Sequence, residues 1–187
     1  MTQLVFLLEE LSAKEFLDRL LPRLLPDGID FLTIPHRGKH DLVKSIPIKL
    51  KAWQRQDARF VILHDQDSND CLTLKQRLSS LCQRAAPHRP ALVRISCREL
   101  EAWYWGDLAG VEKAYPNSRL TYLASKATYR HPDTVGHPAD EIKKHVPEFE
   151  KVSGARKIAP HLSINQNRSA SFNAFISGVR KFCQPQL

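Results

Sequence analysis

Arg59-Phe60-Val61-Ile62-Leu63-His64-Asp65-Gln66-Asp67-Ser68-Asn69-Asp70 is the stretch that decides the fold. It opens as an apolar, β-branched run of the kind found in strands buried on both faces, and it ends abruptly in three carboxylates. Open α/β sheets keep their sites at the C-terminal edge of such strands. Hard cations such as Mg²⁺ or Mn²⁺ are held by one or two carboxylates with water and substrate phosphates, so Asp65 and Asp67 are candidate metal ligands. Asp70 suits the N-cap of a following helix and is a weaker third ligand candidate.

Two familiar acidic motifs do not fit. An EF-hand loop needs Gly at its sixth position and Glu at its twelfth. Counted from Asp65, those places hold Asp70 and Gln76, which argues against calcium. A phosphatase of the haloacid dehalogenase type carries its Asp-x-Asp early in the chain with Thr or Val two residues after the second Asp, where this chain has Asn69.

Outward from this strand the chain reads strand, helix, strand, helix, strand, helix, strand, then mostly helix. Val5 to Leu8 is a first apolar strand. Ser12-Ala13-Lys14-Glu15 has the form of a capping box, followed by Phe16, Leu17, Leu20, Leu21 and Leu24 at helical spacing, with a kink or stop expected near Pro22. Asp27-Gly28 turns into a second strand, Ile29 to Ile34, and a helix is expected from Leu42 to Trp53. A third helix follows Asp70, and Ala91 to Ile95 is the fourth strand. Alternating βα units imply a parallel sheet with right-handed crossovers. The fold class is therefore α/β, a parallel sheet flanked by helices, with a mainly helical extension. Residues 1–115 form the core and 116–187 pack on it, the two making one domain. Residues 116–140, rich in Pro, Asn, Ser and His, read as an extended loop, with helices expected near 139–146, 154–162 and over Phe172 to Phe182.

At 187 residues the chain is long enough to bury a substantial core. Cys71, Cys82, Cys97 and Cys183 form no Cys-x-x-Cys pair, so neither a zinc knuckle nor a disulfide framework is expected. Leu4 to Leu8 is too short for a signal peptide, and no apolar window suits a membrane span, so a soluble cytoplasmic protein without membrane partners is expected. The net charge is +8. Residues 1–115 carry 17 Lys and Arg against 15 Asp and Glu, and residues 116–187 carry 11 against 5, so most of the excess lies in the extension. A basic part beside an acid-bearing part suggests nucleic acid, a polyanion, held over a metal site.

Glu9 ends the first strand as Asp65 and Asp67 end the third. In a parallel sheet with short right-handed connections these ends share one edge, so the three acids are expected to converge. That order resembles the Toprim fold of topoisomerases, primases and overcoming-lysogenization-defect (OLD) nucleases, with a Glu after the first strand and Asp-x-Asp after the third. The whole chain is similar to a bacterial family considered Toprim-like, the domain-of-unknown-function 4276 family. The matching stretches are Leu8 to Leu17, Asp65 to Cys71, Cys97 to Tyr104 and Lys151 to Arg156. The resemblance implies Glu9 as metal ligand or general acid/base and Asp65 and Asp67 as ligands of Mg²⁺ or Mn²⁺. It also implies phosphodiester cleavage in nucleic acid, a separately encoded ATPase partner and a role in phage defence. The chain itself has no P-loop, G-x-x-x-x-G-K-[ST]. The rival readings are a non-catalytic nucleic-acid-binding or regulatory subunit and a metal-dependent phosphotransferase on a small nucleotide.

Glu99 and Glu101 lie two residues apart, roughly 200° around a helix, so at most one is expected to join the site unless the segment is extended, with Glu101 preferred. Lys151, Ser153, Gly154, Arg156 and Lys157, with Arg168 beyond them, are candidate phosphate contacts at a helix N-terminus. Lys39, in the loop His36-Arg37-Gly38-Lys39-His40, is a further one. Trp103, Tyr104 and Trp105 have the spacing of core residues and, less often, of a base-stacking platform.

Overall fold

The computed structural model describes residues 2–184. Four parallel strands, β1 (Gln3–Leu8), β2 (Asp30–Pro35), β3 (Ala58–Asp65) and β4 (Ala91–Ser96), form one sheet in the order β2-β1-β3-β4. Helices α1 (Leu11–Leu24), α2 (Lys39–Ala52) and α3 (Cys71–Ala85) connect them. The chain leaves β1 toward β2, then returns past β1 to reach β3. Right-handed crossovers therefore put α1 on one face and α2 with α3 on the other.

The alternation of side chains along each strand sorts the core in two. Leu4, Phe6 and Leu8 of β1 and Val61 and Leu63 of β3 pack toward α1, whereas Val5, Leu7, Phe60 and Ile62 pack toward α2 and α3. Both central strands are covered on both sides, which is why their sequences are continuously apolar. Strand β2 is an edge, with Leu32 41% exposed.

Helices α4 (Ala102–Trp105), α5 (Leu108–Ala114), α6 (Pro138–His145), α7 (Lys151–Ile158) and α8 (Ala170–Cys183) follow. Their apolar residues join the α1-side core, so the extension continues that core. Trp103, Tyr104 and Trp105 are fully buried there. The Trp103 indole N–H donates to Ser171 Oγ at 2.9 Å, and that of Trp105 to the Pro138 carbonyl at 3.0 Å. With no exposed ring face these residues serve the core, and base stacking is not available to them.

Local expectations are corrected in three places. Helix α1 starts at Leu11 with Glu10 as its extended N-cap, so Ser12 lies in the first turn and its hydroxyl donates to the Glu10 carboxylate. The helix runs on through Pro22 to Leu24. The extended loop of 116–140 is instead a series of four 3-10 turns between Pro116 and Thr134, followed by α6. Prolines at the first positions of two of these turns and of α6 preset φ, and Leu120, Leu123 and Tyr129 anchor the segment in the core. Among the described residues, no helix is long and apolar enough to cross a membrane.

Candidate functional site

Strand order reverses beside β1: the loop after β1 leads to one face and the loop after β3 to the other. A crevice at the C-terminal ends of such a pair is where open α/β sheets bind ligands. Leu8 pairs with Leu63, so Glu9 and His64 come next on adjacent strands, with Asp65 one residue further. The Asp65 N–H donates to Glu9 Oε2 at 3.1 Å, and His64 Nδ1 lies 3.3 Å from the same oxygen. The third acid of the expected set, Asp67, adopts a left-handed conformation, φ 51°, fixed by its N–H donating to the Arg98 carbonyl at 2.9 Å. A left-handed non-glycine residue at a strand end is the kind of local strain that accompanies function. The Asp67 carboxylate is ion-paired with Lys39 at 2.9 Å. Gly38, at φ 93°, lets the preceding loop turn back so that its N–H reaches the Glu9 carbonyl at 2.9 Å.

The pleat splits these groups between the two faces. Glu9 meets His64 on the α2–α3 side. Asp65 is on the α1 side, where its carboxylate accepts from Ser96 Oγ and feels the charge of Glu101. Glu101 is fully buried, and neither of its carboxylate oxygens has a hydrogen-bond partner among the described residues. Lys151 Nζ stands 3.3 Å from Glu99, 3.8 Å from Glu101 and 3.8 Å from Glu10. Both Glu99 and Glu101 reach it because residues 98–101 are a turn and α4 begins only at Ala102. The two acids share the Lys151 ammonium, and of the two only Glu101 is fully buried.

The electrostatics are those of crowded acids short of cations. Burial raises the Glu9 carboxyl; His64 and the Asp65 N–H oppose this, and the charges of Asp67 and Glu10 add to it. Burial, with Glu101 next, raises Asp65 well above the usual carboxylate range. Glu101 is pushed up to about 7, mainly by burial and against the pull of Lys151. Burial pulls the Lys151 ammonium down, but Glu101, Glu10, Glu99 and Asp65 together hold it above the ordinary lysine value.

The donor chemistry fits a hard divalent cation. The groups are carboxylate oxygens, and Glu101 has coordination capacity that no hydrogen bond from a described residue uses. The geometry is not preformed: among the described residues no three His, Cys, Asp or Glu are grouped to hold an ion together. The alternation that parts Glu9 from Asp65 and the Lys39 pair that holds Asp67 account for this. Asp70 is the α3 N-cap, its carboxylate accepting from the Thr73 N–H at 2.8 Å. A cleft of about 380 Å³ lined by Asp67, Ser68, Arg98, Glu99, Gly136 and His137 opens beside the edge.

The basic residues of the extension are distributed through the fold. Arg156 makes a two-pronged pair with Glu15, at 2.8 and 2.9 Å. Lys157 lies over the Tyr115 ring at 5.1 Å. Arg168 donates to the carbonyls of Ala124 and Trp105. Gly154 is where the Phe149 ring crosses α7, and a Cβ there would come within 2.3 Å of it. Ser153 is half-buried in the same helix. Of the expected phosphate contacts, Lys39 and Lys151 stand at the acidic edge.

His64 is the residue at this edge that motif reading passed over. It is a polar residue inside an apolar strand, 2% exposed, and the alternation of β3 placed it opposite Asp65 from the outset. Tyr104 is a second, its buried hydroxyl having no partner among the described residues.

No curated protein and no solved structure gives a match to this chain. The family model described as Domain of unknown function (DUF4276) matches residues 8–180, from the end of β1 into α8, with every acid of the edge. The chain belongs to the DUF4276 family.

Proposed function

We propose that the protein is a Mg²⁺- or Mn²⁺-dependent phosphodiesterase acting on nucleic acid, built on a Toprim-like arrangement of acids. The observation that carries this reading is the bond from the Asp65 N–H to the Glu9 carboxylate at the switch-point edge, beside a buried Glu101 carboxylate that accepts no hydrogen bond from any described residue. Asp65, Asp67 and Glu9 would hold the ion, with Glu101 supporting from the α1 side. Bound there, the ion would polarise a phosphodiester and lower the pKa of a water. His64 Nδ1 lies 2.6 Å from the Asp65 carbonyl and 3.3 Å from Glu9 Oε2, which ties the Glu9 carboxylate to the end of β3. Lys39 pairs with Asp67, and Lys151 offsets the charge of Glu99 and Glu101.

The resemblance adds a separately encoded ATPase partner and a role in phage defence to this proposal, and the unpaired cysteines add a cytoplasmic setting. The test is cleavage of an end-labelled oligonucleotide by the purified protein with Mn²⁺, with Mg²⁺ and with EDTA, alongside calorimetric Mn²⁺ titration. Metal-dependent cleavage lost in Asp65→Asn supports the reading. Cleavage retained in Asp65→Asn would assign the activity elsewhere, and Mn²⁺ binding without cleavage would favour the non-catalytic rival.

A further inference from the structure

Positive charge that is free to meet a ligand also lies on the sheet's other face. Helices α2 and α3 together carry seven Lys and Arg and one acid, Asp41. Between them runs a groove of about 550 Å³ with an apolar floor of Val43, Leu78 and Leu81 and a rim that includes Lys44, Arg77 and Arg84. Those three side chains are exposed and make no hydrogen bond or ion pair with any described residue. No acid lines the groove among the described residues. The contrast is with Arg156, which is already paired to Glu15.

The groove ends at the acidic edge. His64 lines it and contacts Glu9, and Lys39 lines it and holds Asp67. Both helices start at the C-terminal edge of the sheet and run back along its face. Arg77 and Arg84 are seven residues apart on α3, about 10 Å along the axis. That row is longer than one phosphate and leads away from the acids, so it suits a chain of phosphates better than a single nucleotide. Charge without base-specific geometry reads backbone, not sequence.

We propose that the α2–α3 groove is the track of a nucleic-acid single strand, whose phosphates lie along Arg84, Arg77 and Lys44 and whose scissile diester reaches the Glu9–His64 side of the edge. The direction of the track rests on the phosphodiesterase reading; the binding surface does not.

The test uses the full chain and a fluorescein-labelled, mixed-sequence DNA 20-mer, with anisotropy read in EDTA so that binding is separated from metal chemistry. Lys44→Ala/Arg77→Ala/Arg84→Ala should weaken binding at least tenfold and lower the log-log salt slope by about 2, from ~0.7 per phosphate contact on single strands. Lys44→Arg/Arg77→Lys/Arg84→Lys should bind like the wild type, which guards against a folding artefact. Calorimetric Mn²⁺ affinity should be the same in all three proteins. Wild-type affinity and salt slope in the alanine variant, or no 20-mer binding by the wild type, overturns the groove while leaving the metal reading intact. Loss of binding in the alanine variant of a protein that takes up no Mn²⁺ upholds the groove and removes the phosphodiesterase reading.

Discussion

The backbone N–H of Asp65 donates to the carboxylate of Glu9 at 3.1 Å although 56 residues separate them. Parallel pairing of β1 with β3 brings the two loops side by side, and a carboxylate accepting a backbone N–H is a charge-assisted bond that fixes its orientation. The bond leaves Glu9 capacity for a second partner, since an ionised carboxylate accepts about four hydrogen bonds.

Removing the Glu9 charge should therefore weaken divalent binding without unfolding the sheet. Glu9→Gln keeps an oxygen for the Asp65 N–H but loses the anion that a hard cation requires. Calorimetric Mn²⁺ affinity should drop at least tenfold, with the far-UV circular dichroism unchanged. Unchanged affinity would mean that the ion sits only on the Asp65 and Glu101 side.

The pH dependence follows from Glu101. Its pKa is raised from 4.5 to about 7 in the folded protein, chiefly by burial. Between those values the native state holds a proton that the unfolded chain has lost. Stability therefore falls as pH rises through this window, by on the order of 3 kcal/mol for this one group. Glu101→Gln should flatten that slope, gaining on the wild type at pH 8 and losing the advantage near pH 5 in urea unfolding curves. A wild type with no loss of stability from pH 5 to 8 would show that Glu101 stays ionised beside Lys151.

The same proton competes with a cation. An ion bound next to Glu101 must displace it, so Mn²⁺ affinity should climb as pH rises from 6 to 8, with proton release. Calorimetry in two buffers of different ionisation enthalpy measures the number released. In Glu101→Gln the pH dependence should shrink.

The core sheet was legible because its signals are local. Continuous apolar runs at Val5 to Leu8 and Phe60 to Leu63, each ending in acids, mark both the strands and the edge where the site forms. Two parts were not legible. The pleat that puts Glu9 toward α2 and α3 and Asp65 toward α1 depends on strand register and on which face each crossover takes, which one sequence does not show. The fate of basic residues depends on tertiary partners: charge counted along the chain pointed to residues 116–187, but folding pairs Arg156 with Glu15 and leaves Arg77 and Arg84 without partners among the described residues.

Gly154 separates a packing role from a phosphate-binding one. Its Cα lies against the buried Phe149 ring, and a methyl group there would meet ring carbons at 2.3 and 2.6 Å. Overpacking of this kind costs about 1–3 kcal/mol. Gly154→Ala should lower the urea midpoint accordingly, and Gly154→Ala/Phe149→Leu should recover part of the loss by making room. A destabilised single variant that the second substitution does not help would point to the α7 backbone itself.

Arg156→Ala/Lys157→Ala tests whether the C-terminal charge reaches a ligand. Arg156 is held by both Glu15 oxygens, and Lys157 lies over Tyr115. A guanidinium already in a two-pronged pair must break it before it can hold a phosphate, and that competition cancels most of what the phosphate contact contributes. The double variant should thus bind the DNA 20-mer with nearly wild-type affinity and salt slope. Glu15, whose carboxyl Arg156 holds down to about 2, should titrate nearer its ordinary value of 4.5. That group supports folding above its unfolded pKa, and the support is lost as pH falls toward 2, so the variant should lose its acid-range protection while the wild type keeps it. A fall in the salt slope of the variant by one unit or more would return the extension to the binding surface, with Glu15 as the gate that releases it.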